Sequence, residues 1–399
     1  MMPQLPLTPD DRDFLLALRR DLHQHPELSW QETGTQERLE RALRESGVTD
    51  VRRVARTGLV ARVPGAGTGA HVALRGDIDA LPIAEATGLP FASVNAGVMH
   101  ACGHDVHATW AVGAARLLAR SPAAGDVVVL LQPAEEVGEG ARAMIADGAL
   151  DGVSAVFGGH VDWRFPVGQV VAQEGPLAAS TDTFHIILRG RGAHGARPQL
   201  ALDPVVGAAE MILAIQTIVS RRMDPAWAGV ISVGAIHGGK APNVIPDTVE
   251  LAGTIRATTP EARRLLQTEL ASVVAGVAST HRLQATTNIS VGTPPLVNTA
   301  HGASWADVAV RSVLGEGASV PLGFTNMGGE DFAYYLEQAN GCFMRIGAAG
   351  PGEEPVDVHT PRFSPSEDAI FVGAAVLAEC ARVASSGAAA SAAAGAARG

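Results

Sequence analysis

The chain has 399 residues, more than a single hydrophobic core usually holds, so its length predicts two domains. Hydrophobic residues make up 47% and charged residues 18%, a composition that excludes disorder throughout the chain. The 30 basic and 41 acidic residues give a net charge of −11, which excludes a general nucleic-acid-binding protein, because such proteins need clustered positive charge.

The outer parts of the chain alternate predicted helices with predicted buried strands. Thr8-Pro9-Asp10 has the residues of a helix start, and the helix should end near Pro26. Other helices are predicted over residues 35–45, 108–119, 141–147 and 368–382. Four apolar runs predict strands, at residues 71–75, 126–131, 153–157 and 342–346. This alternation predicts an α/β fold with a largely parallel sheet.

The middle of the chain follows a strand, helix, strand, strand, helix, strand order. Its strands are predicted at residues 183–189, 230–233, 249–256 and 284–291, and its helices at 203–220 and 260–277. That order is typical of a ferredoxin-like α+β domain. We therefore predict an inserted domain over residues 178–292, within a catalytic domain formed by residues 1–177 and 293–384. Residues 385–399 are rich in alanine and glycine and are predicted to form a disordered tail.

The sequence predicts no membrane span and no signal peptide. It has no run of about 18 uncharged apolar residues, and its first residues lack a basic region followed by an apolar one. Cys102, Cys342 and Cys380 are odd in number and far apart, so a disulfide framework is not expected. We expect a protein of the reducing cytoplasm, without a membrane or nucleic-acid partner.

Three histidines, a cysteine and an aspartate lie close together in the segment Met99–His107. Imidazole and thiolate groups are ligands for zinc and similar divalent metals, so this segment predicts a metal site. Cys102 and His104 are its candidate ligands. Taken singly, His100 or His107 is more often an orienting or capping group than a ligand.

Further candidate ligands follow other predicted strands. Glu135-Glu136 comes after the strand at 126–131, where adjacent carboxylates are costly unless a positive charge faces them. One carboxylate could bind a metal while the other takes a proton from a metal-bound water. His160 and His359 also lie at predicted strand ends. Since ligands bind beyond the carboxyl ends of parallel strands, these residues are expected to converge.

The number of candidate donors predicts two metals rather than one. A catalytic zinc uses three protein ligands, whereas five donors suit a pair of divalent ions. The five donors are Cys102, His104, Glu136, His160 and His359. Asp79 follows the strand at 71–75 and could either accept a hydrogen bond from a ligand imidazole or form a turn. The sequence lacks the nucleophile-elbow, P-loop and dinucleotide-binding motifs.

Nine motifs between residue 22 and about residue 370 are similar to those of one known family. They are LHQHPELSWQE, LRGDIDALPI, MHACGHDVHA, LLQPAEEVGEGARAMIADGAL, GGHVD, GAHGARP, NVIPDTVELAGTIR, GGEDFAYYLE and HTPRF. A chain with these motifs resembles the M20 metallopeptidases, specifically their amidohydrolase branch. That branch contains N-acyl-amino-acid hydrolases (aminoacylases), hippurate hydrolases and auxin-conjugate hydrolases.

The resemblance implies a fold and a set of roles. The catalytic domain would be a zinc-peptidase-like α/β sandwich, and the insert a ferredoxin-like lid and dimerisation domain. The five donors match the metal ligands of the family, Glu135 matches its catalytic base, and Asp79 matches an acid that orients a metal-site group. His194 matches a histidine that reaches a neighbouring active site across a dimer and stabilises the oxyanion, although an ordinary turn histidine is the alternative. Asn243 and Arg256 match positions near the substrate carboxylate, with a structural role as the alternative.

These observations predict a cytoplasmic, homodimeric hydrolase that cleaves the amide bond of N-acyl-L-amino acids, including hippurate-like and N-acetylated ones. Its cofactors would be two divalent ions, Zn²⁺ or Mn²⁺, with Co²⁺ and Ni²⁺ also suited to the donors. A dipeptidase or carboxypeptidase on the same scaffold is an alternative. A protein that only binds metal or amino acids is the other, and Glu135 argues against it because a pure binding site needs no base.

Overall fold

The computed structural model describes residues 4–352, 354 and 356–396, and it divides the chain into two compact units. Unit 1 is formed by the chain up to Gly175, by Asn298–Gly323 and by the chain from Tyr334 onward. Unit 2 is formed by Pro176–Val297 and Phe324–Ala333.

The segment Phe324–Ala333 was predicted as part of the outer domain, and the structure instead groups it with unit 2. Its backbone and side chains bond to the start of the insert. The amide of Ala179 donates to the carbonyl of Gly328 at 2.9 Å, and the Asn326 side chain donates to the carbonyl of Leu177 at 3.3 Å. Contacts between residues this far apart in sequence leave no local signal.

The elements of the chain up to Ala178 are helices and strands in alternation. They are α1 (Pro9–Gln24), α2 (Thr33–Glu45), β1 (Asp50–Val54), β2 (Gly58–Val63), β3 (His71–Asp77), α3 (His104–Arg120), β4 (Val127–Gln132), α4 (Gly140–Ala146), β5 (Val153–Pro166), β6 (Val170–Val171) and β7 (Gly175–Ala178). The start of α1 is as predicted, because Thr8 and Asp11 bond reciprocally in a capping box and Pro9 occupies the first turn.

The remaining elements belong first to the insert and then to the C-terminal part of the chain. They are β8 (Asp182–Arg189), β9 (Ala193–His194), a 3-10 turn (Pro198–Leu200), α5 (Pro204–Arg221), β10 (Gly229–Gly238), β11 (Val244–Ile245), β12 (Thr248–Ala257), α6 (Pro260–Thr280), β13 (Gln284–Ser290), β14 (Leu296–Asn298), α7 (Ala300–Leu314), α8 (Ala333–Leu336), β15 (Asn340–Ala349) and α9 (Asp368–Ala396).

Unit 1 is built on a seven-stranded sheet in the order β1-β2-β4-β3-β5-β15-β6. The four central strands, β4, β3, β5 and β15, are parallel, and the outer strands pair with them or with each other antiparallel. β3 and β4 are almost wholly buried, as expected for parallel strands covered on both faces. The mixed α/β fold with a largely parallel sheet is confirmed.

Helices α3 and α9 pack closely in the core of unit 1. A Cβ atom at Gly113 of α3 would lie 2.8 Å from the Cβ of Ala374. A Cβ atom at Gly373 of α9 would lie 2.3 Å from the ring of Trp110, which is itself fully buried. The two glycines therefore permit an approach that larger residues would prevent, and this contact fixes α3, the helix that begins at His104.

Unit 2 has an antiparallel sheet in the order β10-β12-β8-β13, and its apolar core is formed by side chains of this sheet together with those of α5 and α6. Its long elements follow the order β8-α5-β10-β12-α6-β13, which is the predicted ferredoxin-like order. The sequence pattern was sufficient here because elements such as β8 carry a clear apolar period, with alternate residues buried.

Among the described residues, two helices are long and apolar enough to cross a membrane by length and composition, although the sequence predicted none. One is the portion Asp368–Gly387 of α9, and 78% of its apolar window is buried inside the protein, as in a core helix. The other is α5, whose buried residues, including Met211, Ile215 and Ile218, contribute to the core of unit 2. Both helices therefore have packing partners within their own units.

The C-terminal helix extends into the segment predicted as a tail. Residues 385–396 continue α9, and residues 397–399 lie outside the described residues. Ser385 is buried: its hydroxyl accepts from the amide of Gly125 at 2.6 Å and donates to the carbonyl of Ala70 at 2.8 Å. This difference from the sequence prediction has two causes, the high helix propensity of alanine and a polar anchor that composition does not reveal.

Candidate metal centre

The carboxyl ends of the parallel strands in unit 1 carry the candidate ligands. β3 ends at Asp77, two residues before Asp79, and β4 ends shortly before Glu135 and Glu136. The position of His160 differs from the prediction that it follows the end of a strand. β5 continues through His160 to Pro166 and pairs it with Arg345 of β15. The strand does not end at the Gly158-Gly159 pair.

The turn between Cys102 and His104 depends on glycine. Gly103 precedes α3 with a φ of 86°, in the left-handed region that favours glycine. A Cβ atom there would also lie 2.6 Å from the side chain of Val161. Gly103 thus lets the chain reverse tightly, so that the thiol of Cys102 and the imidazole of His104 both point toward the ends of the strands.

Cys102 lies between two imidazoles. Its Sγ atom is 3.2 Å from Nε2 of His160 and 3.3 Å from Nε2 of His359. His359 itself has a φ of 61°, and its amide donates to the carbonyl of Ala101 at 2.7 Å. That bond holds the loop after β15 against the segment that carries Cys102.

His104 lies beside the two adjacent carboxylates. Its Nε2 atom is 3.8 Å from Oε1 of Glu136 and 3.9 Å from Oε2 of Glu135. Nε2 of His359 is 3.7 Å from the same Oε1 atom of Glu136. The structure therefore brings together all five predicted donors and Glu135, within unit 1.

The donors form overlapping groups whose ligand atoms lie within 4.8 Å of one another. One group is Cys102, His104 and His160, and another is Cys102, Glu136 and His359. Cys102 belongs to both groups, so its thiolate could ligate an ion held by either one. Sulfur, imidazole nitrogen and carboxylate oxygen together are a donor set for divalent transition metals.

Two buried atoms in the cluster support the presence of cations. Nε2 of His104 and Oε1 of Glu136 have no hydrogen-bond partner among the described residues. Unpartnered buried polar atoms are costly, and a metal ligand is exempt because the ion replaces the hydrogen bond. These residues therefore fit a metal site.

In two of the candidate ligand histidines, the hydrogen bond made by Nδ1 determines that Nε2 faces the cluster. Nδ1 of His104 donates to the carbonyl of Asp79 at 2.9 Å, and Nδ1 of His160 donates to the carbonyl of Val161 at 2.7 Å. A carbonyl only accepts, so both Nδ1 atoms carry hydrogen, and in the neutral form of each ring the Nε2 lone pair is available to a metal.

The electrostatics of the cluster also favour positive ions. Burial, together with the charge of Glu136, raises the pKa of the Cys102 thiol well above its ordinary value. Burial likewise raises the pKa of Glu136, and Asp79 adds to the effect. Both groups therefore hold their protons more tightly than they would in water, and divalent ions would compete with those protons.

A series of buried, bonded side chains holds the backbone next to His160. Nδ1 of His107 bonds to the Asp77 carboxylate at 2.7 Å, and Nε2 of His107 accepts from the amide of Val161 at 3.0 Å. Arg75 forms an ion pair with the same carboxylate. From the sequence, His107 was expected more often to orient or cap than to bind a metal, and its partners were not predicted. The three-residue spacing of His104 and His107 on one helix was the available signal.

Asp79 contacts both the ligand imidazole and the loop that carries the two glutamates. Its Oδ1 atom is 3.2 Å from Nδ1 of His104, while its Oδ2 atom accepts from the amide of Glu136 at 3.1 Å and from the hydroxyl of Ser29 at 2.7 Å. The His104 and Ser29 bonds lower the pKa of Asp79, against burial, and so favour its ionised form.

The Asp79→Asn variant is expected to bind divalent metal about 10–100-fold more weakly, because its amide cannot hold His104 and Glu136 in the same way. Competition with a chromogenic chelator measures the affinity. The matched control is Ser29→Ala, which leaves both of those bonds of Asp79 in place and should keep wild-type affinity. Equal affinities for the two variants would refute the orienting role.

The other predicted site residues lie in unit 2. His194 lies on β9 and pairs with Val244 of β11, and the amide of Gly195 donates to the carbonyl of Asn243 at 2.8 Å. His194 and Asn243 are therefore neighbours, and both are exposed. Arg256 lies on β12, paired with Val230 of β10.

The chain is similar to known peptidases and hydrolases. The family model described as peptidase family M20/M25/M40 matches residues 73–383. N-acetyl-L-cysteine deacetylase of Bacillus subtilis (strain 168) is 41% identical over 375 residues, covering 92% of this chain and 87% of the relative. IAA-amino acid hydrolase ILR1-like 2 of Arabidopsis thaliana is 37% identical over 380 residues, covering 94% and 86% respectively.

A solved structure has the same fold over nearly its whole length. The crystal structure of the Bacillus subtilis YXEP protein, described as a dinuclear metal binding peptidase from the M20 family, has a TM-score of 0.84 and 36% sequence identity. The match covers 95% of this chain and 99% of that chain. The described dinuclear metal binding of that protein and the donor groups found here together support two divalent ions.

Proposed function

We propose that this chain hydrolyses N-acyl-L-amino acids. The chain belongs to peptidase family M20/M25/M40 and is a metallohydrolase of its amidohydrolase branch, and the proposal proceeds from that membership. Two relatives support this substrate class. One is named for deacetylating N-acetyl-L-cysteine, and the other for hydrolysing IAA-amino acid conjugates. Both names describe an acyl group joined to an amino acid, so acetyl, benzoyl (hippurate-like) and indoleacetyl groups are the first candidates.

The observation that carries the proposal is the position of Glu135. Its carboxylate lies beside His104 and next to Glu136, at the edge of the donor cluster, with a side chain that is 12% exposed. A purely metal-binding site needs no additional carboxylate there. A hydrolase does, because a base must take the proton of the attacking water and an acid must protonate the leaving amine.

The donor cluster and Glu135 would have separate roles in the reaction. Two divalent cations held by Cys102, His104, Glu136, His160 and His359 would supply Lewis acidity and lower the pKa of a water molecule. Glu135 takes the proton of that water and delivers it to the amine that leaves. Zn²⁺ and Mn²⁺ are our proposed ions, and Co²⁺ or Ni²⁺ could replace them, since thiolate and imidazole accept all four.

The residues of unit 2 favour a dimer. His194 and Asn243 lie near the Thr248 end of β12, whereas Arg256 lies eight residues further along that strand. At roughly 3.3 Å per residue the separation is about 26 Å, too far for one small substrate to contact all three from a single copy. We propose that Arg256 of one subunit and the partner subunit's His194 and Asn243 contact the same substrate, and that the dimer forms through unit 2.

Mixing two inactive variants tests this arrangement. His194→Ala and Arg256→Ala should each have low activity, with an expected loss of about 10²–10³-fold for His194, the proposed oxyanion donor. After subunit exchange in equal amounts, mixed dimers with one intact site should restore about a quarter of wild-type activity. Mixing each variant with itself is the control. No recovery in demonstrably mixed dimers would contradict shared sites.

A substrate panel tests the function itself. Acetyl-, formyl-, benzoyl- and indoleacetyl-L-amino acids are compared with their D-enantiomers and with unblocked dipeptides, after reconstitution with each of the four metals. We expect release of the free L-amino acid from the acylated substrates. Turnover of unblocked dipeptides alone would instead identify a peptidase, and a fully metal-loaded chain without turnover would identify a binding protein.

A further inference from the structure

The segment between α1 and α2 contains a buried carboxylate for which the chemistry above provides no role. Glu32 lies at the start of α2, and its side chain is fully buried. Its Oε1 atom accepts from the amide of Ala134 at 2.9 Å, and its Oε2 atom accepts from the hydroxyl of Thr57 at 2.6 Å. Glu32 makes no capping bond to its own helix, so its carboxylate does not serve α2.

The partner of Glu32 has an unfavourable backbone conformation. Ala134 has a φ of 54°, in the left-handed region that residues other than glycine rarely occupy. Its carbonyl accepts from the amides of Glu139 and Gly140 at 3.3 and 3.2 Å, and the carbonyl of Glu135 accepts from Gly138 at 2.7 Å. The loop after β4 is therefore a tight turn, and its amide at Ala134 is anchored by Glu32 alone among the described hydrogen bonds.

A second buried carboxylate holds the other side of Glu135. The amide of Glu136 donates to Oδ2 of Asp79, and Ser29 donates to the same oxygen. The backbone amides that flank Glu135 are thus bound by two different carboxylates, Glu32 before it and Asp79 after it. Ser29 and Glu32 both come from the segment between the first two helices, so one short stretch of chain contributes to both anchors.

We propose that Glu32 is a positioning residue that, through the amide of Ala134, fixes the loop carrying Glu135 in the orientation needed for proton transfer. The proposal rests on the proposed function, in which Glu135 is the base. The hydrogen bond that the Ala134 amide donates to this buried side chain offsets the cost of the left-handed turn at Ala134. Without it, the loop can relax to a conformation in which Glu135 no longer faces the cluster.

Kinetics of four variants test the proposal. Glu32→Ala is expected to lower kcat about 10²-fold, the effect of a misplaced catalytic group, while KM and the number of bound metals stay close to wild type. Glu32→Met fills the same space without an acceptor and carries the same prediction if the alanine variant does not fold. Glu32→Gln keeps a carbonyl oxygen for Ala134 and an amide group for Thr57, so it should retain most of the wild-type rate.

The matched control is Thr57→Val, which removes the other partner of Glu32 and leaves its bond to Ala134. It should lower the melting temperature while retaining kcat. If Glu32 only contributes to packing, Glu32→Ala and Thr57→Val will both lower the melting temperature, and kcat will stay at the wild-type value in both. That result overturns the proposal. Loss of metal from Glu32→Ala in step with activity would also overturn it, because Glu32 would then support the ligands instead of the base.

Hydrogen–deuterium exchange gives a readout that needs no turnover. In metal-free protein, a peptide covering residues 133–140 should exchange faster in Glu32→Ala than in wild type, and at the wild-type rate in Thr57→Val. Unchanged exchange in Glu32→Ala would refute the anchor. If the wild-type chain hydrolyses no amide in the substrate panel, the proposed function fails, and the exchange experiment still decides whether Glu32 holds the loop.

Discussion

Removing the divalent cations with a strong chelator is expected to reduce amide hydrolysis to the background rate, and adding Zn²⁺ or Mn²⁺ is expected to restore it. All five donors point into one cluster, and His104 and Glu136 each leave a buried atom without a hydrogen bond. Divalent ions held there would supply the positive charge that polarises the amide carbonyl. The loss should therefore be complete rather than partial.

The chelation experiment requires evidence that the protein stays folded. Unit 1 has an extensive core of its own that includes Leu74, Trp110 and Phe157, so secondary structure by circular dichroism should persist after metal removal. Metal content by mass spectrometry is followed alongside the initial rate. The melting temperature should rise again on reconstitution, because ions that bind only the folded chain stabilise it. A stripped sample with undiminished turnover would contradict the metal-dependent mechanism.

The Glu135→Gln variant is expected to lose about 10²–10⁴-fold in kcat while keeping both metals, because an amide of the same size cannot accept the proton of the attacking water. Glu135 lies 3.9 Å from the nearest ring nitrogen of His104, so replacing its charge should leave the five donors in place. Parallel measurements of kcat, KM and metal content by mass spectrometry on one preparation check the prediction.

Two neighbouring glutamates provide controls for Glu135→Gln. Glu139→Gln makes the same chemical change in the same loop, where the carboxylate accepts from the indole of Trp30 at 3.0 Å, and should retain nearly the full rate. Glu136→Gln should instead lose metal, because Glu136 belongs to the donor groups. A Glu135→Gln enzyme at wild-type rate with full metal content would exclude Glu135 as the base.

Much of this architecture could be predicted because its signals are local. The donors at Cys102 and His104 lie in one short motif, Glu135-Glu136 follows a strand that is apolar throughout, and the insert shows its helix and strand periods directly. The resemblance to a family then supplied roles for residues such as His194, which no local pattern would have distinguished from an ordinary turn histidine.

The features that escaped prediction depend on contacts between distant segments. His107 bonds to Asp77, which is 30 positions away in sequence, and Glu32 bonds to the amide of Ala134, which is 102 positions away. Ala134 itself gives no hint of its left-handed conformation, because alanine carries none of the glycine or asparagine preference that marks such turns. A carboxylate in a sequence also does not show whether it will face water, a metal or a backbone amide.

The separation of the donors from the insert has a consequence for how such a chain can diversify. Every donor, together with Glu135, Asp79 and Glu32, lies in unit 1, whereas His194, Asn243 and Arg256 lie in unit 2, which has its own apolar core. Substitutions within residues 176–297 can therefore accumulate without removing a ligand. Selection acting on positions of this interval other than His194 could change which substrates the chain accepts, while the metal donors and Glu135 are inherited unchanged.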